Sequence, residues 1–242
     1  MFLSRLDDLA HAAEKYKSPQ FTKFISPHER VVFEQFLPAS PFVSAMAWGG
    51  TQDCERCVVG FFPDFIEPCE ALFPISALRI KAAGEPGHRE VLGSVLGMGI
   101  ERSLLGDIYP EPEGAVLFCL DSISEFIRLN LSRIGRQRAL AEEVETSALI
   151  LAPRQTKEIS GTVSSLRLDG VLSMATGKSR AKAQEMIAAG RVEVNWAVEE
   201  NPSHMLKEGD MLSVRGFGRM RLAAALGETK KGRIRIVIKQ YI

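Results

Sequence analysis

The apolar positions fall into three blocks, each with its own periodicity. Phe2, Leu3, Leu6, Leu9, Ala10 and Ala13 recur at helical spacing and predict an opening helix. Pro19, Pro27, Pro38 and Pro41 then punctuate the chain, and SPHERVVFEQF (26–36) reads as a second short helix. Strand-like runs follow at 42–48 and 57–63, joined by the turn-rich GGTQD. Together these predict a small N-terminal α+β unit over 1–74.

The second block, 75–158, predicts a strand at 76–82, a helix at 88–99 and strands at 104–110 and 114–120. A helix over DSISEFIRLNLSRIG (121–135) and a strand at 138–144 complete it. Asp121 or Ser122 is expected to cap that helix, with Arg128 and Arg133 toward its negative end and Gly135 just beyond. Gly93 and Gly97 read as points of close helix packing. The order β-α-β-β-α-β is the split βαβ pattern of ferredoxin-like folds, shared by RRM-type domains.

In the third block, 163–242, Leu168, Val171, Leu172 and Ala175 mark one short amphipathic helix and SRAKAQEMIAAG (179–190) another. Strands are expected at 191–196, 211–216 and 219–226. From Arg233 to Lys239 basic and apolar residues alternate with period two. Ile234, Ile236 and Ile238 should therefore be buried while Arg233, Arg235 and Lys239 occupy the other face. The fold class is α+β.

With 242 residues, 45% of them hydrophobic and 25% charged, the chain has enough apolar material to build two or three cores. Its longest nearly apolar run, Val91 to Ile100, is about half the ~20 residues of a membrane helix. The opening MFLSRLDDLA lacks the basic and apolar regions of a secretory signal. Four cysteines in a chain this long fit a reducing, cytoplasmic setting better than a disulfide framework.

The net charge is zero, from 30 basic and 30 acidic side chains, but it is unevenly spread. Residues 1–162 carry 16 basic and 22 acidic groups, whereas 163–242 carry 14 and 8. From Ser213 onward eight cations face only Glu228. A basic module on an acidic body points to a local nucleic-acid contact, since counterion release depends on the contacts and not on total charge.

The sharpest chemical signal is GKSRAKAQ (177–184). Ser179 is a good N-cap, yet Lys178, Arg180 and Lys182 crowd the positive end of the helix, where the dipole disfavours cations. Free N–H groups and long cations at a helix start suit an anionic partner. VRGFGRMR (214–221) adds Arg215, Arg219 and Arg221, with Phe217 placed either to stack on a base or to pack inward. GETKKGR (227–233) puts Lys230, Lys231 and Arg233 at the base of the last strand.

RLDGVLSMATGKSRAKAQEMIAAGRVEVNW, followed by HMLKEGDMLSVRGFGR, resembles an S4 domain of the αL type, a small RNA-binding module. The resemblance rests on RLD at 167–169, SR at 179–180, the helix ending in Gly190, VEVN, and the GD turn before a strand. GGTQDCER (49–56) and GHREVLGSVLGMGIERSLLGDIYPE (87–111) are similar to the N-terminal regions of bacterial YlmH-type S4 proteins. It implies a cytoplasmic, non-enzymatic protein that binds structured RNA, ribosomal or transfer RNA on the large ribosomal subunit. Arg167, Lys178, Ser179, Arg180, Lys182 and Arg191 would line the RNA face, and Arg215 and Arg219 would extend it. Trp196 departs from the pattern, which prefers Gly after Asn195.

No catalytic residue, metal site or cofactor is expected. Cys54-x-x-Cys57 lacks two further ligands at finger-like spacing and a helix to open. His88-Arg89-Glu90 and Gly97-Met98-Gly99 lack the rest of the kinase and dinucleotide patterns. A subordinate expectation places RNA contacts at Arg89, Arg128, Arg133, Arg136 or Arg138. The competing reading is a protein–protein adaptor linked to cell division, whose basic face takes an acidic partner.

Overall fold

The computed structural model describes every residue except 37–39, 53, 85, 147–148, 150, 152–155, 230–231 and 242. The chain forms two compact units, Met1–Ala152 and Pro153–Ile242.

In the first unit, α1 (Phe2–Tyr16) buries Leu6, Ala10 and Ala13, one stripe of its helical surface. After the two-residue β1 (Gln20–Phe21), Ser26 and Glu29 form a reciprocal capping box that starts α2 (Pro27–Glu34), with Pro27 at its first turn. β2 (Val43–Trp48) and the wholly buried β3 (Val58–Pro63) complete a three-stranded sheet of order β1-β3-β2.

The chain continues through β4 (Ile75–Ala82), α3 (His88–Leu96), β5 (Leu105–Glu111), β6 (Gly114–Leu120), α4 (Asp121–Asn130), β7 (Arg133–Ile134) and β8 (Gln137–Val144). The antiparallel order β5-β6-β4-β8-β7 is the ferredoxin-like arrangement with one added edge strand. One sheet face buries Leu78, Ile80, Leu105 and Leu117 against Val91, Val95 and Ile127 of α3 and α4. Part of the other buries Ala77, Tyr109, Val116 and Phe118 against Phe24, Val58, Phe62 and Phe73. GAVLFCL is apolar almost throughout because β6 is covered on both sides.

The GGTQDCER stretch fits beside this sheet. Gly50 sits at φ 93, and a Cβ there would lie 2.3 Å from the Phe118 ring. Asp107 of β5 accepts the Glu55 and Arg56 backbone N–H groups at 2.6 and 3.2 Å. Arg56 donates to the carbonyls of Leu105 and Phe24, at 3.1 and 2.9 Å. Arg102 also donates to the Leu105 carbonyl, and its pKa is pushed down to about 10 by burial and then by Arg56.

Three expectations are corrected here. The helix expected over 121–135 ends at Asn130, and Arg133 lies in β7, because residues 133–134 pair with 137–138 of β8. Neither Asp121 nor Ser122 caps that helix: Leu120 is the N-cap, and Asp121 instead accepts the Ser76 hydroxyl at 2.7 Å. At Gly93 there is open space, and a Cβ at Gly97 would meet only carbonyls of its own helix, so neither glycine serves close packing. Cys54 and Cys57 are both buried, and burial pushes the Cys57 thiol up to about 12.

The second unit holds β9 (Thr156–Val163), α5 (Leu168–Thr176), α6 (Arg180–Ala188), β10 (Val192–Val194), β11 (Ala197–Val198), β12 (Met211–Val214), β13 (Gly218–Glu228) and β14 (Ile234–Tyr241). They form an antiparallel sheet of order β11-β10-β12-β13-β14-β9. Its inner face, including Val192, Leu212, Met220, Leu222, Ile236 and Ile238, packs on Leu168, Val171, Leu172, Ala183 and Ile187 of the two helices. As the alternation predicts, Ile236 and Ile238 are buried and Arg235 and Lys239 are exposed, while Ile234, expected to be buried, is only half-buried near the strand's start. Gly177, at φ 66, ends α5 and turns the chain into α6.

Asn195 and Trp196 connect β10 to β11 with φ of 48 and 64, the left-handed pair that favours Asn-Gly. Asn195 fits, since its Oδ1 accepts the Met211 N–H and its Nδ2 donates to Asp210, both at 2.9 Å. Trp196 occupies the second position under strain. Trp196→Gly should stabilise the second unit by about 0.5–1 kcal/mol, read as a raised thermal midpoint. A lower midpoint would show that packing of the half-buried indole outweighs the turn strain.

Candidate nucleic-acid interface

The start of α5 places Asp169 in the first helical turn, fully buried. Its carboxylate accepts two N–H groups from Arg167 at 3.1–3.2 Å, two from Arg180 at 3.0 Å and the Gln184 amide at 2.8 Å. Burial alone would push this carboxyl up. The hydrogen bonds from Arg167, Arg180 and Gln184 outweigh it and hold Asp169 well below the usual carboxylate range. The Asp169 hydrogen bonds and charge in turn raise Arg180. Arg180 and Gln184 both belong to α6, so one buried anion fixes the start of that helix against α5. The Arg167 and Arg180 side chains remain 34% and 50% exposed. Each guanidinium thus spends one edge on Asp169 while the rest stays open to a second anion.

Ser179 is the N-cap of α6, its hydroxyl accepting the Lys182 N–H at 3.2 Å. No acidic residue occupies the first turn. Lys182 pairs with Glu185 one turn on, at 2.6 Å, and both are substantially exposed, so the pair is weak. Lys178 lies with Nζ 6.0 Å from the Phe217 ring centroid. Phe217 is half-buried on the core, so it packs inward beneath Lys178.

The Arg215 N–H donates to the Arg191 carbonyl at 3.0 Å, which ties the β12–β13 turn to the end of α6. Arg191, Arg215 and Arg219 line a cleft of about 380 Å³ together with Glu193 and Ser213. Arg221 lies farther along β13, opposite Lys239 of β14. Arg233 is not part of this group: its guanidinium donates to the Thr162 carbonyl at 2.7 Å at the far end of the β13–β14 hairpin. Eleven residues of β13 separate the two ends by roughly 30 Å. Lys230 and Lys231 lie outside the described residues.

In the sequence Asp169 is met only within RLD and Gln184 only within GKSRAKAQ, neither of them with a positioning role. Their signal is an acid at the second position of an otherwise apolar helix, with arginines just before it and at the next helix start. In the first unit, Arg128 is near Glu125 at 3.7 Å, while Arg89, Arg133, Arg136 and Arg138 are exposed. An open cleft of about 1060 Å³ on the ferredoxin-like sheet holds Arg138, Arg79 paired to Glu111 at 3.2 Å, and Lys81. Lys81 is itself paired to Glu142 at 2.6 Å, so charge there is largely balanced. Among the described residues no group of three or more His, Cys, Asp or Glu is placed to hold a metal. No helix among them is long and apolar enough to cross a membrane.

Two short helices on an antiparallel sheet, with cations gathered at the second helix's start, define an S4-type RNA-binding module. Residues 166–212 match the S4 domain model, and residues 73–148 match the model described as "Putative RNA-binding domain in YlmH". The chain belongs to the YlmH-type family of S4-domain RNA-binding proteins. It is 33% identical over 230 residues to Ribosome-associated protein quality control protein P2 of Bacillus subtilis (strain 168), covering 94% of this chain and 89% of that one. It is also similar to the structure of Cell division protein ylmH from Streptococcus pneumoniae, with 25% identity and a TM-score of 0.55 over 62% of this chain and 92% of that one.

Proposed function

We propose that this protein is a non-catalytic, cytoplasmic factor that docks structured RNA on the large ribosomal subunit. The RNA would be ribosomal RNA, with transfer RNA as a further contact, in translation or ribosome-associated quality control. No metal or cofactor enters this role. The observation that carries the proposal is the buried Asp169 clamp, which holds two half-open arginines beside Lys178 at a helix start free of acidic residues. Such preorganisation lowers the ordering cost of gripping a phosphate backbone, which suits recognition by shape and charge. The Bacillus relative's name, with its ribosome association and quality control, supports the assignment.

The name of the Streptococcus structure keeps cell division as the contrasting reading, in which the same basic face meets an acidic protein. Crosslinking in cells followed by sequencing of the attached RNA separates the two. Enrichment of ribosomal or transfer RNA, with ribosome co-sedimentation lost on ribonuclease treatment and at raised salt, is expected. Absence of enriched RNA, together with protein partners that survive both treatments, would establish the adaptor instead.

A further inference from the structure

The outer face of the second unit's sheet, opposite the helices, carries a second group of cations. Arg221 of β13 lies directly opposite Lys239 of β14, and Arg235 projects from the same face of β14 four residues before Lys239. Like charges directly opposite across a ladder destabilise a sheet. All three side chains are exposed, and none has a hydrogen bond or ion pair among the described residues. This sets them apart from Arg167, Arg180, Lys182 and Arg233, each of which is engaged within the protein.

The strand registers show what else shares that face. Thr162 lies opposite Arg235, Ser160 opposite Val237 and Thr156 opposite Tyr241. Ser213 lies opposite Arg219. Acids on the face are Glu158, opposite Lys239 but without an ion pair to it, and Glu193 at the other border. From Arg235 to the level of Tyr241 the stripe runs about 20 Å along the strands.

We propose that this outer sheet face is a second RNA-contact surface, one that takes an unpaired strand continuing from the structured RNA held at the helix side. Charge complementarity commits the face to a polyanion. A sheet face that sets a ring and hydroxyls among its cations suits a single strand, whose unstacked bases are free to lie on it. Half-buried Tyr241, two residues past Lys239 at the end of the stripe, gives a base a platform next to phosphates held by Arg221, Lys239 and Arg235. The proposal rests on the RNA-binding reading above and extends it from the Arg191–Arg219 cleft at the border of this face across the sheet to β14.

The test uses the full chain and two fluorescein-labelled RNAs: a blunt hairpin, and the same hairpin with a single-stranded 3′ extension of about twelve nucleotides. Wild-type protein should bind the extended hairpin more tightly and with a steeper salt dependence. The variant Arg235→Thr/Lys239→Thr should lose that advantage, with a log–log salt slope on the extended RNA shallower by about 1.4. Its binding to the blunt hairpin should be unchanged. Lys239→Thr alone keeps the test readable if the double variant folds poorly, with an expected slope change of about 0.7. An extension advantage that survives in these variants overturns the proposal while leaving helix-side RNA binding intact. Equal weakening on both hairpins overturns the single-strand assignment. No binding of either RNA by wild-type protein defeats this proposal and the RNA reading together.

Discussion

Asp169→Ala is expected to destabilise the second unit by about 3 kcal/mol and to abolish RNA binding with it. The wild-type carboxylate is fully buried and takes all five of its N–H contacts from Arg167, Arg180 and Gln184. Its removal leaves two guanidiniums facing each other without a counter-charge, and frees the start of α6 from α5. Both arginines are partly exposed and can rehydrate, which sets the effect at the lower end of the cost for breaking a buried pair. Asp169→Asn should rescue little, because its amide sets an N–H donor against donors. Two-step calorimetric unfolding would show the second unit's transition displaced and the first unit's unchanged. A shift below about 0.5 kcal/mol would mean that hydrated arginines suffice to hold the helices.

The same clamp has a defined acid limit. Asp169 titrates well below its unfolded value of about 3.9, so its contribution is present above that value and is lost as pH falls toward the folded pKa. The stability gap between wild type and Asp169→Ala should therefore stay constant from about pH 5 to 8 and narrow only below about pH 4. A gap that narrows near neutrality would point to a different titrating group.

Local periodicity made much of the fold legible. The helical spacing in 168–175 and 179–188 and the alternation in 233–239 are set by burial on one face, and both appear in the structure. What escaped was decided by residues far apart in sequence. β9, TKEISGTV, is mostly polar with no clear alternation, and becomes a strand because β14 pairs with it over eight positions more than seventy residues later. Arg133 reads as helical until β8 draws residues 133–134 into the sheet edge. At the interface the cationic positions were readable, but the direction of each side chain was not. Arg180 looks like a free phosphate ligand in the sequence, and only the packing of α5 on α6 brings its guanidinium to Asp169.

That distinction determines which substitutions report on RNA contact alone. Arg180→Glu would press a carboxylate against buried Asp169 and confound folding with binding. Lys178, Arg191 and Arg215 are exposed, and none of their side chains holds a helix or strand in place. The triple variant Lys178→Gln/Arg191→Gln/Arg215→Gln should therefore keep its thermal midpoint. Its affinity for a blunt RNA hairpin should fall about a hundredfold at low salt, with the log–log salt slope shallower by roughly 2–3. The wild-type and variant binding curves should converge as salt rises, because what has been removed is counterion release. The loss should also be nearly uniform across hairpin sequences, as expected for contacts to phosphate instead of base edges. A loss confined to one hairpin sequence would mean that these side chains read bases. An unchanged slope would move the RNA face away from the α6 start and the Arg191–Arg215 cleft altogether.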